Sequence, residues 1–268
     1  MNTAAVTVVV PCYRCAATIA RALESVASQT MQPAELVLVD DASGDGTVEI
    51  LHSLQRRYGD WVKVVELPDN RGAASARNAG WNIATQPYVA FLDADDAWHP
   101  QKIEVQYAYM HAHPEVALSG HACRQLPQES GSAPQWIIYF QRVRPITWGS
   151  LLVRHAFVTP SVMLKREIPL RFAEGVRYME DHRLWLAILD AGFATVKLEV
   201  ELVAIYKPGY GAAGLSADMW LMEKGELANY RYFSGQGKIP LPYLMFLYCY
   251  SLVKYMRRLF VVRLLRRA

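Results

Sequence analysis

The sequence predicts an α/β fold: a mostly parallel, twisted sheet flanked by helices, with a C-terminal helical extension. Three observations carry that expectation. Short apolar, β-branched runs alternate with helix-like stretches over the first hundred residues. The polar residues of this region gather in the loops that follow the runs. The chain then closes on an apolar segment that turns strongly basic.

Val6–Val10 is an apolar run broken only by Thr7, suited to a strand buried on both faces. Ala16–Gln29 sets Ile19, Leu23 and Val26 on one helical face, and Leu36–Val39 is the next strand. Thr47–Tyr58 follows as a helix with Asp45 or Thr47 as its cap. Val62–Leu67 is a third strand, Ala73–Ala84 a helix and Tyr88–Leu92 a fourth strand. Strand, helix and strand at this spacing imply right-handed crossovers. Beyond Pro100, Gln101–Ala112 is helical in pattern, Glu115–Gly120 strand-like and Gln125–Pro134 a polar loop. Thr147–Val153 and His182–Leu189 are helical, Val196–Tyr206 is strand-like, and Lys207–Leu215 is glycine-rich. The expected organisation is one domain over residues 1–215, in two halves meeting near residue 100, and a helical extension over 216–268.

Composition narrows the function classes. With 268 residues, 52% hydrophobic and 20% charged, the chain can bury a sizeable core. Six basic residues from Lys254 onward account for the net charge of +3, and the remaining 22 basic and 25 acidic residues leave the body at −3. A nucleic-acid binder spreads positive charge over a domain face, so nucleic acid is not the expected partner. Basic charge beside an apolar run suits a membrane surface. The four cysteines are too scattered to staple the chain, and no secretory signal is evident, so a reduced cytoplasmic setting is expected. Cys12 and Cys15 spell C-x-x-C but have no partner pair at zinc spacing.

In such sheets ligands bind beyond the carboxyl ends of the strands. Asp93-Ala94-Asp95-Asp96 ends a strand with three carboxylates in four residues. They repel one another, and a hard divalent cation, magnesium or manganese, would offset that cost. A solvated turn capping the next helix is the alternative, and the neighbouring loops favour the metal. Asp40-Asp41 closes another strand, where a carboxylate either meets a ligand or caps a helix. Asn70–Asn78 brings Arg71, Arg77 and a helix N-terminus to the same edge, which favours a phosphate or a carboxylate. Glu180-Asp181 opens an apolar helix, ordinary dipole chemistry unless it lies beside the acidic loop. No dinucleotide fingerprint, P-loop, H-E-x-x-H or G-x-S-x-G occurs, and the seven histidines form no ligand pattern.

Five segments, VTVVVPCYR (6–14), VLVDDASGDG (37–46), NRGAASARNAG (70–80), YVAFLDADDAWHP (88–100) and YMEDHRLWL (178–186), together resemble the ordered signatures of family 2 glycosyltransferases. The resemblance implies a GT-A fold, with a nucleotide-binding half over 1–100 and an acceptor-binding half over 101–215. It implies inverting transfer from a UDP-sugar, with Mn2+ or Mg2+ as cofactor. Pro11 and Tyr13 would flank the base, Asp41 would meet its polar edge, and Arg77 would lie near the nucleotide. Asp93 would sit at the ribose and diphosphate, and Asp95 would hold the metal. Asp181 would be the catalytic base, with Glu180 and Trp185 on the acceptor side. The Q-x-x-R-W mark of processive synthases is absent, so the addition of one sugar is expected. A nucleotidyltransferase normally needs a glycine-rich, lysine-bearing loop after the first strand, and Pro11–Arg14 has no glycine. A catalytically silent nucleotide-sugar scaffold is the remaining alternative.

Leu241–Val253 is nearly all apolar but shorter than the ~20 residues a spanning helix needs. It is expected to lie in a membrane interface, peripheral on the cytoplasmic face, with packing on the core or on a second copy as the alternative. A glycan or lipid-linked acceptor would fit that placement.

Overall fold

The computed structural model of the chain describes residues 3–126, 136–206 and 218–265. Its first part alternates β1 (Thr3–Cys12), α1 (Ile19–Ala27), β2 (Gln32–Asp40), α2 (Thr47–Tyr58), β3 (Val62–Glu66), α3 (Ala73–Ile83) and β4 (Tyr88–Phe91). All pairings among these strands are parallel. There follow β5 (Ala97–Trp98), α4 (Lys102–Ala112), β6 (Val116–Gln125), β7 (Val143–Pro145), α5 (Trp148–Val153), β8 (Met163–Lys165), α6 (Glu180–Asp190) and β9 (Ala194–Ile205). Two C-terminal helices, α7 (Met219–Gly235) and α8 (Leu241–Leu265), complete the chain. One mixed sheet runs β3-β2-β1-β4-β8-β6-β9-β5, with β7 added to β9. The antiparallel pairs enter only with β5, β7 and β8.

The sheet separates two cores. Along β1 and β2, Val9, Val37 and Val39 face the layer of α3, α6 and α7. Their neighbours Val8, Val10, Leu36 and Leu38 face α1, α2 and α4. Successive strand residues point to opposite faces, so a strand covered on both sides needs an unbroken apolar run. Gly80 brings α3 against the sheet, because a Cβ there would collide with the methyls of Val9 and Val39.

Several expected boundaries move. The helix expected from Ala16 begins at Ile19, because Thr18 and Ile19 N–H both donate to the Cys15 carbonyl in a turn. The strand expected over Glu115–Gly120 runs on to Gln125, paired with β9 along its whole length. Thr147 caps α5, its hydroxyl accepting from Ser150 N–H and its own N–H donating to the Ser150 hydroxyl. Most of the polar loop expected over Gln125–Pro134, and the glycine-rich Lys207–Leu215, lie outside the described residues.

Helix α8 is 25 residues long and continues into the basic segment as far as Leu265. One face packs inward through Leu244, Leu247 and Ser251. Lys254 donates to Glu226 at 2.8 Å and Arg258 to Glu223 at 2.7 Å, tying α8 to α7. Two of the expected membrane anchors are therefore spent within the protein. Among the described residues no helix is long and apolar enough to cross a membrane.

Candidate active site

The loops after β1 and β2 are laced together. Ser43 N–H and hydroxyl both donate to Asp40, and the Ser43 hydroxyl accepts from Arg14 N–H at 3.0 Å. Thr47 N–H and hydroxyl donate to Asp45, so Asp45 fixes the start of α2 while Gly46 takes the cap position. Asp41 is buried, and its two oxygens accept from Arg71 N–H and Gly72 N–H, each at 2.8 Å. It braces the loop that leads into α3. Pro11 is half-buried at this rim, and Tyr13 is exposed with the Arg14 guanidinium 5.2 Å from its ring centre.

Asp93, Asp95 and Asp96 offer carboxylate oxygens that lie within 4.8 Å of one another. The loop is anchored from two sides. Arg21 donates to the Asp95 carbonyl at 2.6 Å while its guanidinium lies over the Tyr206 ring. Tyr206 N–H donates to Asp96 at 3.4 Å. An oxygen-only donor set of this kind fits Mg2+ or Mn2+.

Arg77 joins this loop to a distant helix. Only 5% exposed, it donates to Asp93 at 2.8 Å and to Glu180, at the start of α6, at 3.0 Å. Burial works against its charge, but Asp93 and Glu180 outweigh that and hold the guanidinium firmly protonated. Its outer face lies over Phe172, which Asn78 clamps by two hydrogen bonds. The sequence left open whether Glu180-Asp181 stands beside the acidic loop. Arg77 settles that it does, since one guanidinium touches both.

Asp181 accepts from the Thr159 hydroxyl at 3.1 Å and from His182 N–H at 2.7 Å. Burial first, and then the Asp181 charge, push Glu180 up to about 7, although Arg77 pulls it down. Met179, just before them, has φ of 60°, so the chain turns sharply into α6. His182 is a core residue, its pKa held at about 3 by burial and by His155, with a ring nitrogen on the Leu151 carbonyl.

Trp185 is corrected. It is 2% exposed and meets Phe172 edge-on, in one core with Leu184 and Ile188. It lies on the inward face of α6 and cannot line an open acceptor surface. Arg21 and Tyr206 escaped notice in the sequence, because neither belongs to a local pattern.

A family model described as glycosyl transferase family 2 matches residues 7–163, more than half of the chain. The chain belongs to family 2 of the glycosyltransferases. This transferase is 32% identical to the putative glycosyltransferase EpsE of Bacillus subtilis, covering 75% of this chain and 72% of that one. It is 30% identical to the putative teichuronic acid biosynthesis glycosyltransferase TuaG of the same organism, over 84% of this chain and 87% of that one. It is 29% identical to the Escherichia coli UDP-Glc:alpha-D-GlcNAc-diphosphoundecaprenol beta-1,3-glucosyltransferase WfaP, over 70% and 71%.

The transferase also shares its GT-A fold with solved structures. The mannosyltransferase PcManGT of Pyrobaculum calidifontis, in complex with GDP-Man and Mn2+, aligns at a TM-score of 0.67 with 22% identity over 94% of this chain and 70% of that one. Staphylococcus aureus TarS 1–349 in complex with UDP-GlcNAc aligns at 0.63 with 19% identity over 86% of this chain, which spans 66% of that one.

Proposed function

We propose that this transferase moves a single sugar, with inversion, from a UDP-sugar to a hydroxyl of a glycan or lipid-linked acceptor. The setting is the assembly of a bacterial-type surface polysaccharide or glycoconjugate, at the cytoplasmic face of a membrane. The observation that carries the reading is the Arg77 bridge. It holds a carboxylate loop suited to the donor diphosphate against Glu180, whose neighbour Asp181 is suited to take the acceptor proton.

Asp95, with Asp93 and Asp96, would hold the divalent cation, which when bound stabilises negative charge on the leaving diphosphate. Arg77 and Asp93 shape the ribose and diphosphate region, and Pro11 and Tyr13 flank the base. Asp41 keeps a lone pair on each oxygen for the polar edge of the base, beyond its two backbone bonds. Asp181, oriented by Thr159, takes the proton as the acceptor hydroxyl attacks. Glu180 supports it from the acceptor side. The UDP named in WfaP and in the TarS complex favours UDP over the GDP of PcManGT, and the lipid-linked acceptor named in WfaP favours a similar acceptor here.

The membrane reading rests on the outer face of α8, where Met245, Phe246, Val253, Met256 and Phe260 are exposed in helical register.

The test is thermal stability with UDP, GDP, dTDP and CMP, each with and without manganese, on wild type and Asp95→Ala. Ligand at 100 times its Kd adds ~2.7 kcal/mol, and at ~2–4 °C per kcal/mol for a chain of this size the midpoint shifts by roughly 5–10 °C. The expected result is a UDP shift that needs manganese and disappears in Asp95→Ala. No shift with any nucleotide overturns the donor site. Transfer assays with individual UDP-sugars then identify the sugar.

A further inference from the structure

A second concave surface lies where β6, β7 and β9 meet. Along β9, Val196, Leu198, Val200 and Leu202 turn into the core, while Lys197, Glu199 and Glu201 line the opposite face. There they border a cavity of about 590 Å³ together with Arg124, Arg142, Arg144 and Arg154. Trp136, Ile138 and Tyr139 form its apolar side.

The charges do not balance. Glu199 pairs with Arg142 at 2.7 Å and with Arg144 at 3.4 Å, and Glu201 pairs with Arg124 at 2.6 Å. Five cations thus face two carboxylates. Among the described residues Arg154 forms no ion pair, and the Lys197 ammonium donates to a neutral carbonyl, that of Ala156, at 2.7 Å. Burial, and then the neighbouring charges of Arg144 and Arg154, hold Lys197 below its usual range. Three cations within mutual range, and short of counter-charge, are stabilised by a bound anion.

The cavity is also close to the chemistry. Arg154 precedes Thr159 by five residues, and the Thr159 hydroxyl bonds Asp181. Five residues span at most about 17 Å. The backbones of Arg154 and Thr159 therefore lie no further apart than that, the span that an extended acceptor anchored by phosphate at Arg154 and Lys197 would bridge to reach the proposed base.

We propose that this pocket holds the diphosphate of a diphosphate-linked acceptor, with Lys197, Arg144 and Arg154 as the anion ligands. The word acceptor rests on the function proposed above; the anion site does not. The aromatic and aliphatic side of the pocket suits the first part of a lipid chain or a sugar face, and the diphosphate supplies the charge. This gives the transferase two separate phosphate sites, one built on carboxylates through a cation and one built directly on cations.

That difference makes the two separable. Inorganic pyrophosphate is titrated calorimetrically into the full chain in the presence of EDTA, where the carboxylate loop has no cation to bind it. The wild type and Asp95→Ala are expected to bind alike, and Arg144→Ala/Arg154→Ala at least tenfold more weakly. The double variant should keep the manganese-dependent UDP shift, which shows that it is folded. Arg154→Ala alone, at an exposed and unpaired position, should weaken binding several-fold and guards against misfolding of the double variant. A short prenyl diphosphate should compete with pyrophosphate, and phosphatidylglycerol vesicles should not. Equal affinity in the pocket variants, no binding to wild type, or displacement by the vesicles overturns the proposal. If pyrophosphate behaves as expected while no nucleotide shifts stability, the donor reading fails and the anion site stands.

Discussion

Arg77 holds two carboxylates that come from segments far apart in the chain, Asp93 and Glu180, and nothing in its own helix announces this. A buried charge that loses its partner costs 3–5 kcal/mol. Arg77→Ala is therefore expected to lower stability by about that much, measured by denaturant unfolding, and to abolish the UDP shift, since Asp93 loses its anchor. Asp181→Asn should instead leave the unfolding midpoint nearly unchanged and lower kcat by roughly 10²–10⁴, the usual contribution of a positioned base. Glu180 adds a pH dependence. Its folded pKa of about 7 stands above the ordinary carboxylate value, so the folded chain holds the proton that the unfolded chain has already lost. Between about pH 4.5 and 7 its contribution to stability must fall as pH rises, by up to about 3 kcal/mol. In Glu180→Gln that decline should vanish from the melting temperature profile. A profile that keeps the same slope would mean that Arg77 holds Glu180 ionised throughout.

Elements were legible where one physical demand controlled them. Val6–Val10 had to be apolar almost throughout because α1 and α3 cover opposite faces of β1, and its one polar member, Thr7, is buried with its hydroxyl donating to Glu35. The Asp93–Asp96 loop was legible because adjacent carboxylates are costly without a reason to be there. Strand β6 was read short because it turns partly exposed and polar from Ala122 to Gln125, where the alternation of Arg124 with its neighbours no longer looks like a core strand. Strands β5 and β8 are two and three residues long, too short for any periodicity. Trp185 was misplaced because an aromatic beside an acidic pair looks the same whether it points in or out. The approach of α3 to the sheet is a prediction at this scale. Gly80→Ala would press its methyl into Val9 and Val39, and overpacking of this kind costs typically ~1–3 kcal/mol, readable in a urea midpoint with m unchanged. The α7–α8 pair makes another. Burial alone would raise Glu226, but His155, Lys254 and Tyr230 outweigh it and hold it at about 2. A lowered pKa contributes stability that is complete above about pH 4.5 and lost as pH falls toward 2. Acid should thus loosen α8 from α7, and Lys254→Met should shrink that loss when the midpoint is followed from pH 6 to pH 3.

Over the whole molecule, the all-parallel half of the sheet and the mixed half meet at β4–β8, and the candidate site sits across that seam. Asp93 follows β4, Asp181 opens α6, and Thr159 lies just before β8. The same architecture leaves α8 with two unlike faces. Its inner face is committed: Glu223 and Glu226 neutralise Arg258 and Lys254. Its outer face presents Met245, Phe246, Val253, Met256 and Phe260, with exposed Arg257 beside them, and the sequence continues through Arg263, Arg266 and Arg267. Among the described residues, Lys254 and Arg258 meet counter-charge from α7 and Arg257 forms no ion pair with it. An apolar face beside exposed Arg257 and a basic stretch of sequence fits an anionic lipid surface better than a second copy of the same chain, whose matching helix would bring the same basic residues. Phe246→Glu/Val253→Glu, both at exposed positions, should keep the UDP shift but fail to float with phosphatidylglycerol vesicles, while wild type floats with them at low salt. At 1 M salt the Debye length shrinks to about 3 Å. The electrostatic share of binding should then disappear and flotation should weaken without being lost, because the apolar contact remains. If wild type instead stays unbound to vesicles and light scattering gives a dimer that the double variant dissolves, the face joins two copies and the membrane reading is wrong.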